Sequence, residues 1–210
     1  MSGNGSKVTR LRQEIAACQA CSADLPHGPR PVLQFGGTAR IVIIGQAPGA
    51  RVHTSGVPWD DPSGARLRAW TEIPQAVFYD SSKIALVPMG FCYPGKGKSG
   101  DLPPRPACAP LWHARVFDVL PQDRLTLLVG CHAQARYLPA RPKRTMTENV
   151  RIQPGRASGI LALPHPSWRS TNWVARNPWF AAQVLPELRK IIRHWLGADP
   201  GQAPRPWRVL

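Results

Sequence analysis

The chain contains four cysteines whose spacing is typical of a metal or iron–sulfur site. Cys18 and Cys21 form a C-x-x-C pair, and Cys92 and Cys108 follow further along the chain. We expect a cytoplasmic protein, in which thiols stay reduced, so metal ligation or burial in the core is favoured over disulfides. From spacing alone, the four thiolates predict either a Zn²⁺ site or a [4Fe-4S] cluster. The fifth cysteine, Cys131, follows a predicted strand, and we expect it to be buried in the core.

The chain is strongly basic, which predicts a polyanionic partner. It has 27 Lys and Arg against 12 Asp and Glu, a formal net charge of +15. Lys96 and Lys98 lie in a Gly-rich segment between the third and fourth cysteines, and they are candidates for contact with backbone phosphates. A solvated loop is the alternative interpretation. The same two interpretations apply to two further basic groups, Arg141, Lys143 and Arg144, and Arg176, Arg189, Lys190 and Arg193.

Two loops rich in Gly, Pro and polar residues follow short apolar runs. The first contains Gly-Gln-Ala-Pro-Gly at 45–49 and Gly-Val-Pro-Trp-Asp-Asp-Pro-Ser-Gly at 56–64. The second is Leu-Pro-His-Pro-Ser-Trp at 163–168. Turn chemistry alone would explain the Gly and Pro residues of the first loop. Asp61 followed by Pro62 is also typical of a helix N-cap with Pro at the first helical position.

The elements before these loops predict where the loops lie. Aliphatic runs at 40–45, 84–87, 125–129 and 159–163 predict strands buried on both faces, and helical patterns occur at 8–17, 63–72, 111–120, 133–138 and 178–196. This alternation predicts one α/β domain over 1–196, a three-layer α-β-α sandwich with a mainly parallel four-stranded sheet. In such folds the loops after the strand carboxyl ends form the site. Residues 197–210 predict a flexible tail.

Length and composition exclude several other classes of protein. The 210 residues are 43% apolar, which is enough for a core and excludes wholesale disorder. No apolar run approaches the roughly 20 residues that cross a bilayer, so we expect no membrane partner. We therefore expect a soluble, cytoplasmic monomer.

Together, the two loops resemble the signature motifs of the uracil-DNA glycosylase superfamily, which are G-x-x-P-G followed by G-x-P-F, and H-P-S. The resemblance covers most of the chain, and the layout of the four cysteines is similar to that of the iron–sulfur branch. It implies a DNA repair enzyme that flips a deaminated base, most often uracil, from DNA and hydrolyses its N-glycosidic bond to leave an abasic site. It also favours a [4Fe-4S] cluster over Zn²⁺.

The resemblance assigns roles to residues that match the family motifs. His165 would contact the flipped base near O2 and stabilise the negative charge that develops on it, although a structural histidine is the alternative. Ser167 would hold a backbone phosphate, and Trp168 and Arg169 lie where some relatives have an intercalating side chain. Trp59 replaces the usual Phe on which the base stacks.

A carboxylate that holds water and stabilises the sugar cation is also implied. Asp61 resembles this residue in the subgroup that places it in the second segment, with Asp60 as the other candidate. Capping of a helix is the competing role of Asp61. The other subgroup has Glu where this chain has Gln46, which cannot act as a base.

One departure from the family pattern concerns the choice of base. The family usually has an Asn a few residues before the third cluster cysteine, and this chain has none there. Specificity is then expected from Gln46 or from the backbone of Met89 and Gly90. The resemblance further implies substrate contact at Ala47 and DNA contacts that include Gly49, Arg51 and Arg176. Two alternative functions are a non-catalytic binder of uracil-containing or abasic DNA on the same fold, and an RNA-binding or regulatory iron–sulfur protein.

Overall fold

The computed structural model describes residues 2–138, 144–154 and 158–197. Its main sheet has four strands, β1 (Ile41–Ile44), β2 (Ile84–Leu86), β5 (Leu125–Val129) and β6 (Ile160–Leu163), in the order β2-β1-β5-β6. All three strand pairs are parallel, and the register places Ile41 beside both Ile84 and Leu125. A short antiparallel hairpin is formed by β3 (Lys96–Gly97) and β4 (Gly100–Asp101).

Helices flank the sheet on both sides, which confirms the predicted three-layer sandwich. They are α1 (Ser2–Ala16), α2 (Ala50–Ser55), α3 (Pro62–Thr71), α4 (Gln75–Phe78), α5 (Cys108–Asp118), α6 (Cys131–Tyr137), α7 (Met146–Ile152), α8 (Ser170–Arg176) and α9 (Leu185–Trp195). A π-helical turn, Phe180–Val184, leads into α9. Helix α1 packs against α5, and α3 packs against α9. No helix among the residues described has both the length and the apolar character needed to cross a membrane.

The core forms where the apolar runs are longest. Every residue of β1 and β2 is buried. Strand β1 is paired on both sides, whereas β2 is the edge strand and has an antiparallel bridge between Leu86 and Gln34 on its outer side. All four predicted strands are present, with ends that differ from the prediction by one residue at most. Parts of two predictions lie outside the residues that the structure describes. They are Arg141 and Lys143 of the predicted basic groups, and residues 198–210 of the predicted tail.

The strand order reverses direction between β1 and β5. The chain passes from β1 to its neighbour β2 on one side, and then crosses back over β1 to β5 and β6 on the other side. A crevice therefore opens between the carboxyl ends of β1 and β5, which is the usual ligand site of an open parallel sheet.

One prediction about the core is wrong. Cys131 is exposed, not buried. The reason is that the strand ends at Val129, and Gly130, with φ +90°, turns the chain so that Cys131 becomes the first residue of α6.

Candidate active site

Three loops meet at the crevice between β1 and β5. They follow β1 at Gly45, β5 at Gly130 and β6 at residue 164. An ideal Cβ on Gly130 would lie 3.0 Å from Nε2 of Gln46 and 3.3 Å from Cβ of His165. Gly130 therefore marks the point where the first loop and the H-P-S loop approach each other, and it leaves little space for any larger residue.

The crevice opens into a cavity of about 520 Å³. Nine of the residues expected to bind substrate or DNA or to act in catalysis line it: Gln46, Ala47, Gly49, Trp59, Asp61, His165, Ser167, Trp168 and Arg169. Residues far apart in the sequence thus share one pocket, as expected if the loops after the strands form the site.

Trp59 and His165 form an aromatic wall of this cavity. Their ring centroids are 5.9 Å apart and their planes differ by 28°. Trp59 has a left-handed backbone with φ +59°, which is uncommon for a bulky residue. Ideal Cβ atoms on Gly45 and Gly64 would lie 2.7 Å from its ring and 1.8 Å from its carbonyl oxygen. The two glycines therefore allow the strained turn that directs the ring into the cavity.

His165 is a neutral imidazole in the folded protein at neutral pH. Burial, with a smaller contribution from the nearby His132, lowers its pKa from 6.5 to about 4. The hydroxyl of Ser170 donates a hydrogen bond to the carbonyl oxygen of His165, which fixes this part of the loop. A neutral imidazole has one N–H group to donate, so it can stabilise an oxygen that becomes negative.

Asp61 occupies the cap position of α3 and also lines the cavity. Its Oδ1 atom accepts a hydrogen bond from the Gly64 N–H at 2.7 Å, so the predicted capping role is confirmed. Since a carboxylate has two oxygens, capping through Oδ1 leaves Oδ2 for a second role. Asp60 is half-buried and is not among the cavity-lining residues. Burial raises the pKa of Tyr79 and the Asp60 carboxylate adds to this increase, which places Asp60 near Tyr79.

The two backbone groups expected to read the base already have partners. The Met89 N–H donates to the Gly45 carbonyl at 3.0 Å, and the Gly90 N–H donates to the Gln46 carbonyl at 2.9 Å. Neither residue lines the cavity. The Gln46 side chain, beside His165, is therefore the better placed of the expected groups to contact an edge of a bound base.

The β3–β4 hairpin carries two basic residues and reaches the cavity through Gly100 and Asp101. Lys96 and Lys98 are exposed on the hairpin, and the Arg169 guanidinium donates to the Ser99 carbonyl at the hairpin turn. The H-P-S loop is held from the other side, since Arg66 Nη1 donates to the Ser167 carbonyl at 2.6 Å.

Trp168 projects from this loop, with 75% of its surface exposed. The guanidinium of Arg169 lies 5.5 Å from the centre of the Trp168 ring. Of the expected DNA-binding residues, the structure thus places Ser167, Trp168 and Arg169 at one opening. It does not place Arg51, exposed on α2, or Arg176, the last residue of α8, among the cavity-lining residues.

One acidic residue of the cavity was missed by the sequence reasoning. Asp101, at the end of β4, lines the cavity together with Asp61. An ideal Cβ on Gly49 would lie 3.2 Å from Asp101 Oδ2. The one signal in the sequence is that Asp101 is the acidic residue of an otherwise basic segment.

A second pocket contains the four cysteines of the expected metal site. Its volume is about 20 Å³, on the measure that gives the main cavity about 520 Å³, and apolar residues such as Leu25 and Trp112 complete its lining. Cys18, Cys21, Cys92 and Cys108 all lie on its wall. The C-x-x-C pair and the two distant cysteines are therefore brought to one place.

A hydrogen bond and burial set the environment of the Cys108 thiol in this pocket. The Phe91 N–H donates to Cys108 Sγ at 3.3 Å, the kind of bond that stabilises a cluster sulfur. Burial raises the pKa of the Cys108 thiol to about 12, so without a cationic group the thiol stays protonated. Over the described part of the chain, no group of three or more His, Cys, Asp or Glu side chains is placed so that it could hold a metal ion.

The site and the fold agree with a comparison against protein families. The family described as the uracil DNA glycosylase superfamily matches residues 33–189, about three quarters of the chain. The matched segment begins before β1 and ends within α9, so it includes all four strands of the main sheet and the loops that form the cavity. The chain belongs to the uracil DNA glycosylase superfamily.

Proposed function

We propose that this protein removes uracil from DNA by hydrolysing its N-glycosidic bond. Membership of the superfamily supports a DNA glycosylase in general, a hydrolase of N-glycosyl bonds. The observation that supports base excision most directly is the stacked pair of Trp59 and His165 in the cavity. It offers a flat aromatic surface to a base next to a neutral hydrogen-bond donor.

The expected reaction uses groups that face the cavity. The flipped base stacks on Trp59, and the His165 N–H donates to an oxygen of the base. When the C1′–N bond breaks, both bonding electrons leave with the base, and the hydrogen bond stabilises the resulting anion. Water adds to C1′ of the sugar cation, its proton passes to solvent through a carboxylate, and the base later takes a proton from solvent. Asp61 supplies this carboxylate, while Gln46 contacts the base edge.

DNA binds across the opening of the cavity. Lys96 and Lys98 of the hairpin neutralise backbone phosphates, and Ser167 hydrogen-bonds to one of them. Trp168 is mostly exposed, so it can enter the space in the stack that the flipped nucleotide leaves. An abasic site, the product, would be held by the same contacts.

A [4Fe-4S] cluster on Cys18, Cys21, Cys92 and Cys108 forms the second part of the proposal. The shared pocket and the N–H donor to Cys108 support it. When bound, the cluster would join segments that are distant in sequence, and so supply folding energy.

Protein purified without oxygen should be brown, with about four iron atoms per chain. Colourless protein with stoichiometric zinc would contradict this. Cys131→Ser is the matched control and should keep the colour, because exposed Cys131 is outside the pocket.

The decisive experiment measures base release in a single turnover. Oligonucleotides with uracil, hypoxanthine, xanthine or a mismatched thymine are incubated with excess protein, and alkali cleaves the strand at each abasic site. We expect release of uracil, and a rate about 100-fold lower for His165→Ala with unchanged DNA affinity. A stable complex with uracil-containing DNA and no release would instead show a binder. Release of another base but not of uracil would reject the proposed substrate.

A further inference from the structure

We propose that Asp101 is a second carboxylate of the active site, held in place by Tyr93, that stabilises the positive charge on the sugar. This rests on the proposed glycosylase function. The family motifs lie in the two loops after β1 and β6, whereas Asp101 lies on the β3–β4 hairpin, more than 30 residues from either. It is therefore a new element of the site.

The first argument is the position of the two oxygens of Asp101. Oδ1 accepts a hydrogen bond from the hydroxyl of Tyr93 at 3.3 Å. Oδ2 lies 3.2 Å from where a Cβ on Gly49 would be, so it faces the Gly45–Gly49 loop. No described residue donates a hydrogen bond to Oδ2. One oxygen thus holds the side chain in place, and the other remains available at the cavity wall.

The second argument concerns Asp101 as an exposed residue of the hairpin, and it excludes an ion pair across the two strands. Asp101 and Lys96 are directly opposite each other in the hairpin, where an ion pair across the strands would be expected. Among the described residues no ion pair within 4.0 Å joins them. The carboxylate instead pairs with the Tyr93 hydroxyl, on the cavity side of the hairpin.

The third argument concerns what holds Tyr93. Its side chain is buried, and its ring is stacked on His27 with centroids 5.4 Å apart and planes at 17°. Tyr93 directly follows Cys92, and Cys92 lies on the wall of the cysteine pocket. Tyr93 is therefore a rigid support, and we class it as a positioning residue, whereas Asp101 would contact the substrate.

The proposed reaction creates a positive charge that a carboxylate in this position would stabilise. As the C1′–N bond breaks and the electron pair leaves with the base, positive charge develops on C1′ and the ring oxygen of the sugar. Asp61 already uses one oxygen for the α3 cap. A second carboxylate with a free oxygen would stabilise the cation before water adds, and it needs no oxidant, metal or further reactant.

The test uses two abasic-site analogues in otherwise identical oligonucleotides. A pyrrolidine analogue has a positive charge where the sugar cation develops, and a tetrahydrofuran analogue is neutral. The ratio of their dissociation constants measures stabilisation of the cation alone, and it does not require turnover. We expect Asp101→Asn to lower the preference for the cationic analogue about tenfold, and Tyr93→Phe about fivefold, since each loses one hydrogen bond or charge contact.

Asp123→Asn is the matched control. It removes the same charge from the surface, but Asp123 pairs with Arg40 before the start of β5, at the amino end of the strands, whereas the cavity lies at their carboxyl end. The preference of Asp123→Asn for the cationic analogue should equal that of the wild type. An unchanged preference in Asp101→Asn, with a loss only in Asp61→Asn, would overturn the proposal. If the wild type releases none of the four bases, the glycosylase function fails while the ratio still reports on Asp101.

Discussion

Replacing Asp61 by Asn and by Ala separates its two roles. In the structure the side chain caps α3 through Oδ1 and also lines the cavity. Asn is also a good N-cap, but it has no negative charge; Ala lacks both properties. The two variants should therefore differ in stability but agree in catalytic rate.

The expected magnitudes follow from the contacts. Loss of an N-cap costs about 1 kcal/mol, which lowers the melting temperature of a domain of this size by about 2–4 °C. Asp61→Ala should show this decrease and Asp61→Asn should not. Loss of a preorganised charge in an active site costs about 100-fold in rate, so both variants should release base about 100-fold more slowly.

The assay combines single-turnover base release with thermal unfolding. Thr145→Ala is the matched control, because Thr145 caps α7 in a reciprocal pair with Glu148 and is not among the cavity-lining residues. It should lose about the same stability as Asp61→Ala and keep the wild-type rate. This control shows that destabilisation by about 1 kcal/mol does not by itself slow the reaction.

A near-normal rate in Asp61→Asn would refute the catalytic role and reduce Asp61 to a cap. If the rate in Asp61→Ala also stayed near normal, Asp101 would remain as the carboxylate of the cavity. Asp60→Asn would then be the next variant to measure, because Asp60 is the neighbouring acidic residue that the motif also allows.

Three further predictions concern charge, pH and intercalation. Removing Lys96 and Lys98 together should reduce the salt dependence of DNA binding without changing which base is released, as anisotropy titrations at several salt concentrations would show. The pKa of His165 is about 4 when folded and near 6.5 when unfolded, so the unfolded chain takes up the proton first and stability falls as pH drops from 6.5 towards 4. The free energy of unfolding should be about 2 kcal/mol lower at pH 5 than at pH 7. Urea unfolding at the two pH values should show a smaller decrease for His165→Gln. Trp168→Ala should weaken binding to duplex more than to single-stranded DNA, since only a duplex stack has to be opened; equal losses would contradict the wedge role.

The parts of the fold with the longest apolar runs were the most predictable from sequence. Buried parallel strands such as β1 need apolar side chains on both faces, so their sequence pattern is unambiguous. Short helices gave no such signal. Only Val150 is buried in α7 and only Ser170 in α8, so neither helix has an apolar face to recognise.

The residues of the candidate site also differ in how well the sequence predicts them. Three of them, His165, Trp59 and Asp61, lie in short motifs in which Gly or Pro residues also indicate a turn. The structure places all three in the cavity. Asp101 could not be found, because each hairpin strand has only two residues and shows no alternation. The position of the Asp101 side chain depends on its hydrogen bond with Tyr93, and the spacing of residues along the sequence does not reveal this contact.

The left-handed turn at Trp59 makes three positions depend on one another. A side chain on Gly64 would meet the carbonyl oxygen of Trp59, and a backbone atom cannot move aside for it. A side chain on Gly45 would meet only the outer edge of the indole. Homologues should therefore keep glycine at 64 whatever ring occupies 59, whereas alanine at 45 should occur only with a smaller ring. Evolution can thus exchange the ring at 59 while both glycines stay, but it can add a side chain at 45 only where the ring at 59 has become smaller.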